Sequence, residues 1–100
     1  SVAAWAKTLA GEVAANGVTD NTLLPGRIDT PRIERLDAAR AAATGVEPAE
    51  ARAESVKTIP AGRIGTTEEF GAVAAFLASP LAGYVTGSLI RVDGGAVKAI

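Results

Sequence analysis

Leu23-Leu24-Pro25-Gly26-Arg27-Ile28-Asp29-Thr30-Pro31 is the stretch of sequence that decides the fold class. The two leucines end a segment, residues 18–24, whose length and whose β-branched and leucine content predict a short strand. Pro25 and Gly26 end this strand and begin a loop. Thr30 and Pro31 are typical of a helix start, with Thr30 as the N-cap and Pro31 in the first helical position. A strand, a loop and a helix in this order indicate an α/β protein.

Helical patterns lie on both sides of this unit. Residues 31–44 predict a helix that ends at Gly45, and residues 48–56 predict another. On the first of these two helices, one side carries Ile33, Leu36 and Arg40. Residues 1–16 also predict a helix, because one helical face repeats apolar side chains, namely Val2, Trp5, Ala6, Leu9, Ala10 and Val13.

The second half of the chain predicts one more helix and one more strand. Thr66 and Glu69 form a capping box, and the helix that follows ends at Ser79-Pro80. Residues 88–92 predict a strand that ends in the turn Asp93-Gly94-Gly95, whose glycines suit positive φ angles. The tail, residues 96–100, is apolar, and we expect it to pack against a neighbour.

The predicted strands are separated by a long helical crossover, so they must be parallel and joined with right-handed connectivity. A two-stranded parallel sheet is not a stable domain by itself, since parallel sheets need more strands and cover on both faces. The element order therefore predicts part of a larger α/β sheet.

Composition excludes several function classes. The chain has 100 residues, 48% of them hydrophobic, and a net charge of -1. Neither cysteine nor histidine is present, which excludes disulfides, thiol catalysis, a Ser-His-Asp triad and the usual zinc sites within this chain. No run of about 18 apolar residues and no basic patch is visible. We expect no nucleic-acid partner, no membrane partner and no metal, and a cytoplasmic location.

Two ordered stretches carry a family resemblance. The first runs from Leu9-Ala10-Gly11-Glu12-Val13 through Gly17 to Thr30; the second includes Ile59-Pro60-Ala61-Gly62-Arg63-Ile64-Gly65, Phe76-Leu77-Ala78-Ser79-Pro80, Tyr84-Val85-Thr86-Gly87 and Val92-Asp93-Gly94-Gly95. Together they resemble the C-terminal half of the short-chain dehydrogenase/reductases, and most nearly the bacterial 3-oxoacyl-carrier-protein reductases. The resemblance implies that residues 1–100 are the C-terminal portion of one doubly wound, parallel-sheet domain of the Rossmann type. Residues 30–60 would then be its substrate lid.

The resemblance also implies a cofactor site in the loop. In this family the loop meets the nicotinamide end of NAD or NADP. The backbone of Ile28 and the hydroxyl of Thr30 would contact the carboxamide, while Pro25 and Gly26 would shape the loop for close approach. The sequence leaves Thr30 open between this role and helix capping. Arg27 is expected to be a solvated loop residue, with a cofactor phosphate or the substrate as the alternative.

The family's catalytic Tyr-x-x-x-Lys motif is not found in the chain. Its single tyrosine, Tyr84, is followed four residues later by Ser88 rather than lysine. The resemblance therefore predicts no catalytic residue here, places the catalytic pair upstream of Ser1, and implies that the chain alone neither binds the dinucleotide nor catalyses hydride transfer. The parent protein would be a homo-oligomeric oxidoreductase acting on a small carbonyl or alcohol. The alternative is a non-catalytic fragment or oligomerisation module. Asp20 departs from the apolar residue usual before the family's asparagine.

Overall fold

A computed structural model describes residues 1–98 of the chain. In chain order its elements are α1 (Val2–Val13), a 3-10 turn (Ala14–Asn16), β1 (Thr22–Pro25), α2 (Pro31–Thr44), α3 (Pro48–Val56), α4 (Thr67–Leu77), a second 3-10 turn (Pro80–Ala82) and β2 (Leu89–Val92). The predicted order of helices and strands is therefore confirmed. The end of the predicted apolar tail, residues 99 and 100, lies outside the described residues. No helix within residues 1–98 is both long and apolar enough to span a membrane.

β1 and β2 pair as a parallel two-stranded sheet. The Thr22 N–H donates to the Ser88 carbonyl at 2.9 Å, and the Gly26 N–H donates to the Val92 carbonyl at 2.9 Å. The bonds advance in the same direction along both strands, which is the parallel pattern. The predicted α/β class with two parallel strands is thus confirmed.

β1 begins four residues later than the predicted strand. Asp20 precedes it, with its N–H donating to the Thr86 hydroxyl at 3.0 Å and its carbonyl accepting from the Gly87 N–H at 2.8 Å. Asn21 donates from its amide to the Val85 carbonyl and accepts from the Ser88 N–H. Before Thr22, side-chain bonds therefore interrupt the backbone ladder, and the bond from Gly87 to Asp20 is the backbone bond that continues it. Because Asp20 lies outside the strand and is half-buried, its carboxylate is not a charge inside the sheet.

The chain divides into two compact units, the first comprising residues 1–24 and 68–91. Within it, Ala6 and Ala10 of α1 are buried, and so is Ala82 in the second 3-10 turn. A Cβ placed on Gly87 would lie 3.1 Å from Cδ of Lys7, so α1 packs closely on the turn before β2. The outer part of the predicted α1 face is exposed to solvent; Trp5, for example, is 66% exposed.

The second unit comprises residues 25–67 and those from 92 onward, and it contains α2 and α3. Both helices have the predicted limits. Thr30 caps α2, and Gly45 ends it with a left-handed φ of 74°. The buried residues of α2 are Ile33, Asp37 and Ala41, whereas Leu36, which the spacing puts on the same side as Ile33, is 48% exposed.

Candidate functional site

The loop from Pro25 to Thr30 begins at an unusually close backbone approach. Gly26 follows directly after β1, and its N–H is bonded to Val92 at the end of β2. A Cβ on Gly26 would lie 2.7 Å from both Cα and Cβ of Asp93, a separation that side chains do not tolerate. Only glycine fits here, because the loop passes directly over the turn that follows β2.

The turn after β2 is organised by Asp93. Its carboxylate accepts from the Gly95 N–H at 2.9 Å and from the Val97 N–H at 3.1 Å. Gly94 and Gly95 have φ angles of 63° and 88°, as predicted from the Asp-Gly-Gly sequence. The Gly94 carbonyl accepts from the Ala61 N–H at 3.0 Å, so the turn is also held by the segment that precedes α4.

Ile28 lies at the centre of the loop and pairs with Gly65 in a short parallel bridge. The Asp29 N–H donates to the Gly65 carbonyl, and the Gly65 N–H donates to the Arg27 carbonyl, both at 2.9 Å. In extended backbone, successive peptide groups point to opposite sides, so the N–H and carbonyl of Ile28 itself point away from Gly65. Neither group forms a backbone–backbone hydrogen bond within residues 1–98. The Ile28 side chain is 8% exposed and anchors the loop.

Thr30 ends the loop and begins α2. Its hydroxyl accepts from the Ile33 N–H at 3.5 Å, and its carbonyl accepts from the same N–H at 3.0 Å and from that of Glu34 at 3.2 Å. The predicted N-cap is confirmed. The hydroxyl bond is long, at the limit for a hydrogen bond. The hydroxyl therefore retains capacity for a second partner.

Arg27 is paired rather than solvated, which corrects the expectation from the sequence. Its guanidinium Nη2 donates to Oδ1 of Asp37 on α2 at 2.5 Å. The side chains of Arg27 and Asp37 are 25% and 6% exposed. Arg27 Nε and Asp37 Oδ2 are buried and form no hydrogen bond. The pattern missed this pair because Asp37 shares a helix side with Ile33, where an apolar residue is usual.

Two further ion pairs lie on the surface of the same unit. Arg52 of α3 donates to Asp29 in the loop at 3.3 Å, and Lys57 donates to Glu54 at 2.9 Å. The hydrogen bond from Lys57 lowers the pKa of Glu54, and the same bond raises the pKa of Lys57. Exposed pairs of this kind contribute little to stability because water screens them.

The remaining candidate features are weak. Residues 1–98 contain no group of three acidic, histidine or cysteine side chains that could hold a metal. A cavity of about 250 Å³ in the first unit is lined by small residues with Val18, Thr19, Tyr84 and Thr86, and it includes none of the predicted site residues. Tyr84 is fully exposed. The loop from Pro25 to Thr30 is therefore the best-built candidate site.

Comparison with known proteins gives consistent matches along the chain. The model of a family described as enoyl-(acyl carrier protein) reductase matches residues 1–97. The short-chain reductase NovJ of Streptomyces niveus is 39% identical over 95 residues, which are 95% of this chain and 35% of that protein. The 3-oxoacyl-[acyl-carrier-protein] reductase FabG of Vibrio cholerae is 39% identical over 94% of this chain and 34% of its own length.

Solved structures agree with the sequence matches. YwfH, an NADPH-dependent reductase involved in bacilysin biosynthesis, superposes with a TM-score of 0.90 at 35% identity, covering 98% of this chain and 37% of that one. An actinorhodin polyketide ketoreductase solved with NADPH gives a TM-score of 0.88 at 28% identity, covering 98% and 38%. The chain thus spans about a third of the length of the relatives that it matches.

Proposed function

Because this chain belongs to the short-chain dehydrogenase/reductase family, we propose that it forms the nicotinamide-side loop and the substrate-side helices of an NAD(P)-dependent oxidoreductase. The proposed reaction of the whole protein is hydride transfer between the nicotinamide and a small carbonyl or alcohol. Its relatives are reductases by name, which supports the reaction class.

The observation that carries this proposal is that the N–H and carbonyl of Ile28 have no backbone partner among the residues that the structure describes. A carboxamide presents one donor and one acceptor, and the N–H and carbonyl of a single residue complement both. The other peptide groups of the loop near Ile28 are already bonded to Gly65, so the loop cannot easily turn these groups elsewhere. Thr30 lies two residues after Ile28, and its hydroxyl, whose bond from the Ile33 N–H is long, would supply a third polar contact.

The residues present therefore fit a nicotinamide group. When bound, the nicotinamide would supply or accept the hydride. Ile28 and Thr30 would orient the carboxamide, while Pro25 and Gly26 would fix where the loop leaves β1. The chain supplies no proton donor of its own in this scheme, since Tyr84 lacks the family's partner lysine.

The proposal also includes the dinucleotide, the cover over the substrate, the oligomeric state and the location. Of the matched structures, YwfH is an NADPH-dependent reductase and the polyketide ketoreductase was solved with NADPH, so NADPH is the first dinucleotide to test against NADH. Residues 30–60, which contain α2 and α3, would cover the substrate. A homo-oligomer is supported by the exposed Val2 and Trp5 on α1. A cytoplasmic location is where such a reductase would meet its dinucleotide.

Thr30 variants of the complete protein test this function, since they separate capping from cofactor contact. Thr30→Asp keeps a good N-cap but removes the hydroxyl donor, whereas Thr30→Val removes both. We expect T30D to unfold at the wild-type temperature with a cofactor KM raised about tenfold, the effect of roughly one lost hydrogen bond. T30V would also lose about 1 kcal/mol of stability. The conservative control T30S retains both functions.

Two results would count against the proposal. An unchanged cofactor KM in T30D would leave Thr30 with the capping role alone. A complete protein that neither binds NADH or NADPH nor reduces carbonyl compounds would favour the alternative, a non-catalytic interaction module.

A further inference from the structure

The Arg27–Asp37 pair joins the candidate cofactor loop to the first helix of residues 30–60. Arg27 directly precedes Ile28, and Asp37 lies in the second turn of α2. Their bond is the one hydrogen-bonded side-chain link between the loop and α2 other than the Thr30 cap, within the part of the chain that the structure describes.

Asp37 is an unusual residue for its position. It lies between Ile33 and Ala41 on the buried side of α2, and it is 4% exposed. A buried carboxylate is costly unless it is paired, and an apolar side chain of similar size would pack there without that cost. Packing alone therefore does not account for an aspartate, which points to a role for its bond with Arg27.

One hydrogen bond joins Arg27 to Asp37, so the contact depends on the position of the loop relative to α2. Arg27 Nε and Asp37 Oδ2 are both buried and have no hydrogen-bond partner among residues 1–98, so one hydrogen bond joins the two side chains there. If the loop moved far enough to break the bond from Nη2 to Oδ1, the Asp37 carboxylate would be left buried without its cation. The position of the loop is thus energetically tied to α2.

The backbone of Arg27 transmits this constraint to Ile28. The Arg27 carbonyl accepts from the Gly65 N–H at 2.9 Å, while its side chain is held by Asp37. Arg27 is therefore fixed on two sides, and the direction of the next peptide groups follows from it. On the other flank, the Arg52–Asp29 pair is exposed and longer, at 3.3 Å, so it constrains the loop less.

We propose that Arg27 and Asp37 are positioning residues, which hold the Ile28 N–H and carbonyl in the orientation that binds the nicotinamide carboxamide. This inference rests on the proposed function. It adds a second role for α2: besides covering the substrate, this helix would support the cofactor loop. Loss of the pair would weaken binding of NADH and NADPH by the same factor, because the loop meets the nicotinamide and not the adenosine half.

The test compares the complete protein with a double variant, Arg27→Met with Asp37→Leu. Replacing both partners by apolar side chains removes the pair without leaving a buried charge, so this variant is the one expected to fold. Asp37→Asn is the second variant, because it keeps the shape and removes the charge. Glu54→Gln is the matched control, since it breaks an exposed ion pair at the end of α3.

Three measurements decide the outcome: dinucleotide affinity by fluorescence titration, steady-state kinetics, and amide hydrogen exchange without cofactor. In the double variant we expect Kd and KM for both dinucleotides to rise about tenfold with little change in kcat. Peptides covering residues 25–30 would exchange faster, while α1 peptides would not. D37N would raise Kd about threefold, and E54Q would match the wild type.

A purely structural role gives a different pattern. It would lower the amount of active protein, and hence kcat, while leaving KM and Kd at wild-type values. Wild-type Kd and loop exchange in the folded double variant, or in D37N should the double variant not fold, would overturn the inference. Failure of the proposed function is distinguishable, because the wild-type protein itself would then bind no dinucleotide.

Discussion

Single residues of the candidate loop are constrained by contacts that are distant in sequence. Gly26 is conformationally ordinary, without a positive φ, and yet the site for its Cβ is filled by Asp93. Ile28 is buried through its side chain, while its own N–H and carbonyl have no backbone partner within residues 1–98. These two constraints differ in kind: one fixes the path of the loop, and the other determines what the loop offers to a ligand.

Gly26→Ala tests the first constraint. The added methyl would overlap Cα and Cβ of Asp93. These atoms can move only if the turn after β2 moves with them. Overpacking of this kind costs about 1–3 kcal/mol, and we expect G26A to lie at the upper end. Denaturant unfolding of the complete protein measures the change. Gly11→Ala is the control, because nothing lies within 4 Å of its Cβ site in α1; it should gain about 0.5–1 kcal/mol. Equal stabilities of G26A and the wild type would contradict the close approach.

Sequence patterns predict the conformation of Thr30 correctly but do not predict the partner of Asp37. The Thr30-Pro31 pair predicts an N-cap at Thr30, and the structure confirms it, because capping depends on local sequence. The spacing puts Leu36 on the same side of α2 as Ile33, yet Leu36 is half exposed, while Asp37 is buried with Arg27 as its partner. A pattern of apolar spacing contains no information on a charge supplied by a separate loop. The nicotinamide roles of Ile28 and Thr30 stay predictions.

At the scale of elements, helices were easier to predict than strands. α2 and α3 begin at Pro31 and Pro48, and α2 ends at Gly45, so their limits follow from residues with strong local preferences. β1 is shorter than predicted, because the bonds of Asp20 and Asn21 go to side chains and turn carbonyls instead of a strand partner. Strand limits depend on the partner segment, which local sequence does not encode.

The packing of α2 with α3 depends on small side chains. Ala41 and Ala51 are 3% and 2% exposed, and the two helices lie against each other. We expect Ala51→Leu to destabilise the complete protein by about 1–3 kcal/mol, since the larger side chain has no space. Ala53→Leu on the exposed side of α3 is the matched control and should stay within about 0.5 kcal/mol. Thermal unfolding measures both; similar melting temperatures for the two variants would show that this packing is loose.

Across the molecule as a whole, few apolar residues are fully buried in the part that the structure describes. The first unit buries only alanines among its described residues, namely Ala6, Ala10 and Ala82. The second unit buries Ile28, Ile33, Ala41, Ala51 and Ile59. Burying an alanine methyl contributes roughly 0.8 kcal/mol, whereas ordering one residue's backbone costs about 1–2 kcal/mol. Large apolar side chains such as Trp5 and Leu81 are mostly exposed. Large apolar side chains that are fully buried are therefore few within residues 1–98.

This imbalance predicts how the isolated 100-residue chain would behave. A parallel sheet of two strands has unpaired edges and too little cover for independent stability. We expect the isolated chain to unfold without a cooperative transition, as followed by circular dichroism during heating, and to give no NADPH fluorescence change at micromolar concentrations. The complete protein should show both a cooperative transition and binding under the same conditions. Cooperative unfolding together with micromolar NADPH affinity in the isolated chain would mean that residues 1–100 are sufficient for the fold and the site, and the division of roles proposed above would have to be abandoned.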